Sequence, residues 1–300
     1  MQLIISAIGQ GLLWATLGIG LFLTFRILDF PDMTVEGTFP LGAAMGVTLI
    51  AQGMNPLLAS LIAALAGALA GLVTGLLYTK GRVPILLAGI LTMTAIYSVN
   101  LRIMGQANRS LLGVTTIFSG MGLNKLSANM SAVLVGMIVI AIITGMIAIF
   151  LQTELGQAFI VTGDNETMAR SLGINTDRMT ILGLMLSNAL IAFGGSLVAQ
   201  NNGFADVNMG IGIIVVALAS IIIGEVTYGG ELSLTNRLVT IIIGSILYRF
   251  VLVIVLAIGF SANDLNLFSA VILGLALISP QLRRSLHLEK VIKKGVASHD

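Results

Sequence analysis

Cysteine is absent from this chain of 300 residues, and histidine is nearly so. Without a thiol the chain has no disulfide, no thiolate metal site and no cysteine nucleophile. The two histidines, His287 and His299, both lie near the C-terminus, and no Ser/His/Asp or metal-ligand cluster accompanies them. We therefore expect no catalytic residue, no metal site and no cofactor in this chain, and we do not expect it to be an enzyme.

Charge is also scarce. Charged residues make up 9% of the chain, whereas an average soluble domain carries about 25%. Hydrophobic residues make up 57%, and the mean hydropathy is +1.04. A soluble fold with so little charge would have too little polar surface to stay dissolved, so we expect an integral membrane protein with the lipid bilayer as its surroundings. The net charge of +2 gives no reason to expect a nucleic-acid partner.

The N-terminus lacks the marks of a cleaved signal peptide. No lysine or arginine precedes Arg26, and no clear small-residue cleavage site follows the first apolar stretch. We interpret this stretch as a first membrane helix that the protein keeps.

Apolar segments follow one another along most of the chain, and most are close to the length that crosses a hydrocarbon core of about 30 Å. We place them at 3–25, 38–51, 56–79, 85–104, 131–152, 179–200, 211–224, 237–257 and 265–280. The pattern predicts an all-α, polytopic membrane protein with about 8–10 transmembrane helices, forming a single domain over 1–280. Three polar stretches stand out: 105–130, 153–178 and the basic tail 281–300.

The distribution of basic residues predicts an orientation, because cytoplasmic loops of membrane proteins are enriched in lysine and arginine. The basic tail 281–300 is expected in the cytoplasm. Counting crossings back from it places 153–178 in the cytoplasm, and 105–130 and the N-terminus outside. The residues that weigh against this orientation are Arg102, Arg109 and Lys125.

Two short apolar segments suggest a weak internal repeat. Phe30-Pro31-Asp32-Met33 precedes 38–51, and Phe204-Ala205-Asp206-Val207 precedes 211–224. Paired short segments in corresponding positions are typical of transporters with inverted repeats and broken helices. Re-entrant half-helices are therefore one interpretation, and a chance match of four residues is the other.

The third segment carries a stripe of small residues at a spacing of four: Ala59, Ala63, Gly67, Gly71 and Gly75. Such a stripe lets two helices approach closely in a membrane. Packing within one subunit is the simpler interpretation, and a subunit interface is the alternative.

The polar stretch 153–178 contains signals for a short helix. Asp164 is a candidate N-cap, Glu166 stands in the first turn, and Gly173 is placed to end the helix. Met168 and Leu172 lie on one face, with Ala169 beside them. The stretch is either a solvated loop with a helical turn or a rigid element with an apolar face that docks a partner.

Two sequence stretches carry a family resemblance. ETMARSLGIN, at 166–175, resembles the cytoplasmic coupling helix of ABC importer permeases of the branched-chain amino acid and ribose type. LDFPDMTVEGTFPLGAAMG, at 28–46, resembles the segment after the first helix in that family, and is most similar to permeases that accompany tryptophan- or tyrosine-type binding proteins.

The resemblance implies a bacterial inner-membrane permease that imports a small solute as part of a larger complex. It favours an amino acid, with a sugar, a nucleoside or a peptide fragment as alternatives. The implied partners are two ABC ATPase subunits, an extracytoplasmic substrate-binding protein and a second permease copy in a homodimer. It also implies an ATPase-coupling role for Asp164, Glu166, Met168, Ala169, Arg170, Leu172, Gly173, Ile174 and Asn175. The chain has no G-x-x-x-x-G-K-[ST] phosphate loop, so another chain must hydrolyse the ATP.

Acidic and amide residues near the segment boundaries are candidates for the substrate path. Acids within a membrane are costly and often functional, but at a boundary they also serve for capping and ion pairing. The candidates are Asp32, Thr34, Glu36, Asn188, Asn202 and Asn208. The predicted topology puts 26–37 and 201–209 on opposite sides of the membrane.

A second functional class fits the same residues. An ion- or proton-coupled secondary transporter would use the acids at 29–36 to bind its coupling ion. A membrane scaffold or channel is a third interpretation. Co-purification with an ATPase would separate the importer from both.

Overall fold

The computed structural model describes residues 2–120, 128–228, 233–261 and 264–285 and has eleven α-helices among them. The helices are α1 (Gln2–Phe22), α2 (Val35–Ala51), α3 (Pro56–Thr79), α4 (Ile85–Met104), α5 (Ala128–Gln152), α6 (Glu154–Asp164), α7 (Glu166–Ser171), α8 (Thr176–Asn202), α9 (Ile213–Tyr228), α10 (Leu234–Ala257) and α11 (Leu265–Ser285). Two three-residue strands, β1 (Asn108–Ser110) and β2 (Phe204–Asp206), pair antiparallel. Most of the basic tail 281–300 lies outside the described residues.

The prediction of an all-α polytopic membrane protein is confirmed. Seven helical segments in the described part of the chain are long and apolar enough to cross a membrane. Two shorter apolar helices, Val35–Ala51 and Leu265–Ile278, accompany them. The described bounds of α3 and α4 are the residues predicted from the apolar pattern.

Ion pairs mark one end of the helix bundle. Glu225 at the end of α9 lies 3.2 Å from Arg26 and 3.8 Å from Arg237. Lys80, after α3, lies 3.8 Å from Asp177 in the first turn of α8. The helices α6 and α7 belong to this same end, which we call the coupling end. The strands β1 and β2 lie at the opposite end, where Leu111 N donates to the carbonyl of Gly203.

The chain folds back into the bundle after α1. A π-helical turn, Leu23–Ile27, ends this helix at the coupling end, and Asp29 then adopts a left-handed backbone conformation (φ 52°). The chain continues without helix until Val35, with Asp32 Oδ1 accepting a hydrogen bond from Thr34 N. Helix α2 is therefore only 17 residues long, because the first part of this crossing is not helical.

A similar break follows α8 from the opposite end. Gly203 (φ 77°) ends α8, and β2 and a 3₁₀ turn, Val207–Gly210, precede α9. Asp206 Oδ1 accepts from Asn208 N, as Asp32 does from Thr34 N.

The starts of α2 and α9 meet inside the bundle. Gly212 N donates to Glu36 Oε1 over 3.1 Å. Gly210 packs against the Glu36 carbonyl and the Pro40 ring, and a side chain at 210 would overlap both. As predicted, 26–37 and 201–209 begin at opposite ends of the bundle. Each segment turns back towards the other, so their inner ends meet at Glu36 and Gly212.

The small-residue stripe of α3 packs within the subunit. Gly67 lies against the carbonyl of Asn188 and Gly71 against that of Leu184, both on α8. A Cβ at either position would collide with backbone atoms of α8. The simpler interpretation of the stripe, close packing inside one chain, is therefore the one observed.

Candidate functional site

The stretch 153–178 folds as two helices in a row. Asn165, not Asp164, is the N-cap of α7: its backbone is extended, and its side chain accepts from Met168 N over 2.9 Å. Asp164 is instead the last residue of α6. The prediction for Asp164 was wrong by one residue because Asp and Asn are both favoured caps. Gly173 (φ 83°) follows the end of α7, as predicted.

Helix α7 presents apolar side chains to its surroundings. Met168 is 53% exposed and Leu172 is 64% exposed, whereas Ala169 is completely buried. A helix of six residues is far too short to cross a bilayer core. Ile174 N donates to the carbonyl of Ala169, and Asn175 caps α8 through Arg178 N.

Polar contacts fix α7 to the start of α8. Arg170 Nη2 donates to Glu166 Oε1 over 2.7 Å, and Arg170 Nε donates to Thr176 Oγ1 over 2.9 Å. Arg170 also lies 3.7 Å from Asp177, which pairs with Lys80. Because one guanidinium bridges both helices, α7 is positioned as part of the bundle and not as a free loop.

Helix α6 contacts the segment at which α1 ends. Gly163 lies directly against the carbonyl of Ile27 in the π-helical turn. Phe159 is fully buried and packs with Leu28 over Gly183 of α8. The coupling end is thus in direct contact with the residues that precede the non-helical stretch 28–34.

Three of the predicted path residues form a closed hydrogen-bond network. Asp32 Oδ2 accepts from Asn188 Nδ2 over 2.7 Å, and Asn188 Oδ1 accepts from the Thr38 hydroxyl, also over 2.7 Å. Thr34 and Thr74 pair through their hydroxyls over 2.8 Å. All of these side chains are buried. The network joins α2, α3 and α8, and its geometry suits structural cross-linking.

Glu36 and Asn208 line a different feature, a cavity of about 250 Å³ between α2, α4 and the 3₁₀ turn before α9. We call it the α2–α4 cavity. Its wall also contains Met93, Tyr97 and Asn100 of α4 and Ile211. Asn202, the last residue of α8, is exposed at the end of the bundle that holds β2 and lines neither the network nor this cavity.

Asn100 and Tyr97 were not among the predicted path residues. Asn100 is fully buried within an apolar helix, and its Oδ1 atom has no hydrogen-bond partner. An amide in a membrane segment is a usable signal. It was not distinctive in the sequence, because most such amides join neighbouring helices.

Sequence comparisons identify relatives of this chain. A family described as "Branched-chain amino acid transport system / permease component" matches residues 3–279. A tyrosine transport system permease protein of Clostridioides difficile is 40% identical over 286 residues, 95% of this chain and 94% of the relative. The uncharacterized protein RP368 of Rickettsia prowazekii is 35% identical over 282 residues, 93% of this chain and 98% of that protein.

A more distant similarity covers part of the chain. The autoinducer 2 import system permease protein LsrC of Escherichia coli is 29% identical over 96 residues, 32% of this chain and 28% of that protein. No solved structure matches significantly. Because the family match spans nearly all of the membrane-crossing helices, this chain belongs to the family of permease components of branched-chain amino acid transport systems, which are ABC importers.

Proposed function

We propose that this chain forms the pore of an ABC importer for an amino acid, and that an aromatic amino acid such as tyrosine is its solute. The family description and the relative named as a tyrosine permease support this solute class. In this proposal two copies of the chain form the pore, two ATPase subunits hydrolyse the ATP, and an external binding protein delivers the solute. The chain itself carries out no chemistry.

The proposed orientation places the coupling end in the cytoplasm of a bacterial cell, and the C-terminus with it. The positive-inside rule supports this, because short connections at this end are basic. The basic residues there are Arg26, Lys80, Arg82, Arg170, Arg178 and Arg237. The end formed by β1 and β2 would then face the binding protein.

The observation that carries the proposal is the exposed apolar face of α7. Met168 and Leu172 are exposed on a helix that its Arg170 contacts hold in place. An exposed apolar patch with polar surroundings is typical of a contact surface. We propose that α7 and its flanks, from Asp164 to Asn175, are the surface on which an ATPase subunit docks.

Force would reach the interior of the bundle through α6. A displacement of α7 moves α6, and Gly163 transfers it to the Ile27 carbonyl without a compressible side chain between them. The next segment, 28–34, leads to Glu36 at the start of α2. Because Glu36 also accepts a hydrogen bond from Gly212, just before α9, the starts of α2 and α9 would move together. Alternating access in transporters commonly uses such discontinuous helices.

An ion- or proton-coupled mechanism has no comparable support. Both carboxylate oxygens of Asp32 already accept hydrogen bonds, from Thr34 N and from Asn188 Nδ2. The two relatives described above with a stated function are permeases of a tyrosine transport system and of an autoinducer 2 import system.

Reconstitution tests the proposal. The chain is placed in vesicles with candidate ATPase and binding-protein subunits from the same organism, and uptake of radiolabelled L-tyrosine is measured with and without ATP. We expect uptake that requires all three components, and we expect Met168→Asp to abolish ATPase binding. The matched control is Leu112→Asp, which changes an 89% exposed leucine at the opposite end of the bundle. Uptake that follows an ion gradient without the ATPase would refute the proposal.

A further inference from the structure

We infer that the α2–α4 cavity binds the ammonium group of the transported solute, through Glu36 and Asn100. The inference rests on the proposed transport of an amino acid and assigns the part of the chain that recognises it. The cavity, the unfilled acceptors on its wall and the absence of a neighbouring cation among its described residues all point to a small cationic group.

The position of the cavity favours contact with water or solute. Helix α4 spans 20 residues, about 30 Å at 1.5 Å per residue, and Met93 and Asn100 lie within this length. Glu36 is half-buried, and Thr94 and Tyr97 are exposed on the same wall. A carboxylate that faced hydrocarbon at this depth would be costly. A solvated pathway wall explains this combination of side chains.

Two acceptor atoms of residues on the cavity wall have no hydrogen-bond donor among the described residues. Glu36 Oε1 accepts from Gly212 N, while no hydrogen bond among the described residues ends on Oε2. Asn100 Nδ2 donates to the Gly37 carbonyl over 3.3 Å, which fixes the orientation of the amide, because an oxygen there would face another acceptor. Asn100 Oδ1 is therefore left buried without a partner. Such an atom carries a desolvation cost that a bound donor would remove.

The wall of the cavity favours a cation. Its described lining contains the Glu36 carboxylate and no lysine or arginine. Tyr97 adds an aromatic ring, whose face attracts ammonium groups. Met93, Pro40 and Ile211 provide apolar surface for the rest of the solute. At about 250 Å³, the cavity suits a single small solute better than a peptide.

The test uses the absence of cysteine from the chain. Thr94→Cys places one thiol on the cavity wall, and the permease–ATPase complex is labelled in nanodiscs with the neutral reagent N-ethylmaleimide. Three probes compete: L-tyrosine, tyramine, which lacks the carboxylate, and 3-(4-hydroxyphenyl)propionate, which lacks the amine. We expect L-tyrosine and tyramine to slow labelling and the propionate to leave its rate unchanged.

A second variant tests the carboxylate. Glu36→Gln keeps the size of the side chain and an acceptor for Gly212 N but removes the charge, and it should weaken tyramine protection by roughly tenfold or more. Glu154→Gln, at the exposed start of α6, is the matched control. Tyramine should slow labelling of this variant as much as it slows labelling of Thr94→Cys alone. Equal protection by all three probes, no protection by any, or unchanged protection in a folded Glu36→Gln variant would overturn the inference. If Glu36→Gln does not fold, the three-probe comparison decides alone.

The uptake assay separates this inference from the proposed function. ATP-dependent L-tyrosine uptake without tyramine protection would leave the importer assignment intact and refute the cavity. Tyramine protection without ATP-dependent uptake would support the cavity as an ammonium site and refute the importer assignment.

Discussion

Gly163 of α6 lies directly against the backbone carbonyl of Ile27, at the point where α1 ends. A Cβ at position 163 would overlap this oxygen, so no other residue allows the two segments to approach as closely. The contact joins the coupling end to the non-helical stretch before α2.

Gly163→Ala should therefore separate α6 from the end of α1. We expect a loss of about 1–3 kcal/mol in stability, as for other overpacked sites, and a larger loss of uptake per ATP hydrolysed. Thermal melting and coupled uptake on the same preparation measure the two effects. Gly145→Ala is the control, because a Cβ added at Gly145 of α5 would meet no atom of another described segment within 4 Å. Normal coupling in Gly163→Ala would contradict the proposed route of force.

Leu172→Gly should weaken docking of the ATPase. The substitution removes a 64% exposed apolar side chain at the C-cap of α7, one residue beyond the helix itself, so the lost contact with the ATPase is the main expected effect. ATPase pull-down and substrate-stimulated hydrolysis in vesicles measure the result, and membrane insertion should be nearly normal. Leu172→Met, which keeps the apolar surface, should bind as the parent does. Full binding and stimulation in the glycine variant would count against α7 as the docking surface.

Asp32→Asn should chiefly reduce stability. The new amide has only one oxygen, so its NH₂ group must face one of two donors, Asn188 Nδ2 or Thr34 N. One hydrogen bond of the network is therefore lost, at a cost of about 1–3 kcal/mol. The exchange Asp32→Asn with Asn188→Asp restores a donor–acceptor pair and should recover part of the melting temperature. Asp29→Asn, outside the network, is the control. A folded Asp32→Asn variant with parental stability but no uptake would show that Asp32 belongs to the pathway.

Arg249 should control the fluorescence of the single tryptophan. Its guanidinium lies 3.7 Å from the centre of the Trp14 ring, and its Nε atom is buried without a partner. Arg249→Gln removes a stacking interaction of about 0.5–2 kcal/mol and should shift the emission of Trp14. Arg237→Gln, on the same helix but paired with Glu225, should leave the emission unchanged. An unchanged spectrum in Arg249→Gln would contradict the stacking.

The intact importer should contain two copies of this chain and two ATPase subunits. One copy has only a single unit of membrane helices, and the family resemblance implies a pore between two units. Native mass spectrometry of the detergent-solubilised complex measures the copy number. A transport-competent assembly with one copy and no second permease would refute the homodimer.

The helices were largely predictable because burial in lipid demands long apolar stretches and the polar connections interrupt them. The predicted segments 56–79 and 85–104 match α3 and α4, and Gly173 ends its helix as its freedom to adopt a positive φ suggests. The N-cap of α7 was misplaced because Asp164 and Asn165 are neighbours with similar capping preference. The internal repeat remains a prediction, supported by the similar turns at Asp32 and Asp206.

The class of protein follows from composition alone. Long apolar segments and scarce charge require a membrane, and the lack of thiols excludes cysteine chemistry. The different roles of Asp32 and Glu36, four residues apart, came from tertiary contacts. Hydrogen bonds from residues distant in the chain decide which carboxylate has donors for both of its oxygens. Asn188 donates to Asp32 from α8, whereas Glu36 faces a cavity whose opposite wall comes from α4. Likewise, the hydrogen bond from Gly212 to Glu36 joins two partly non-helical segments that enter the bundle from opposite ends. Local sequence patterns carry no information on contacts between residues so far apart in the chain.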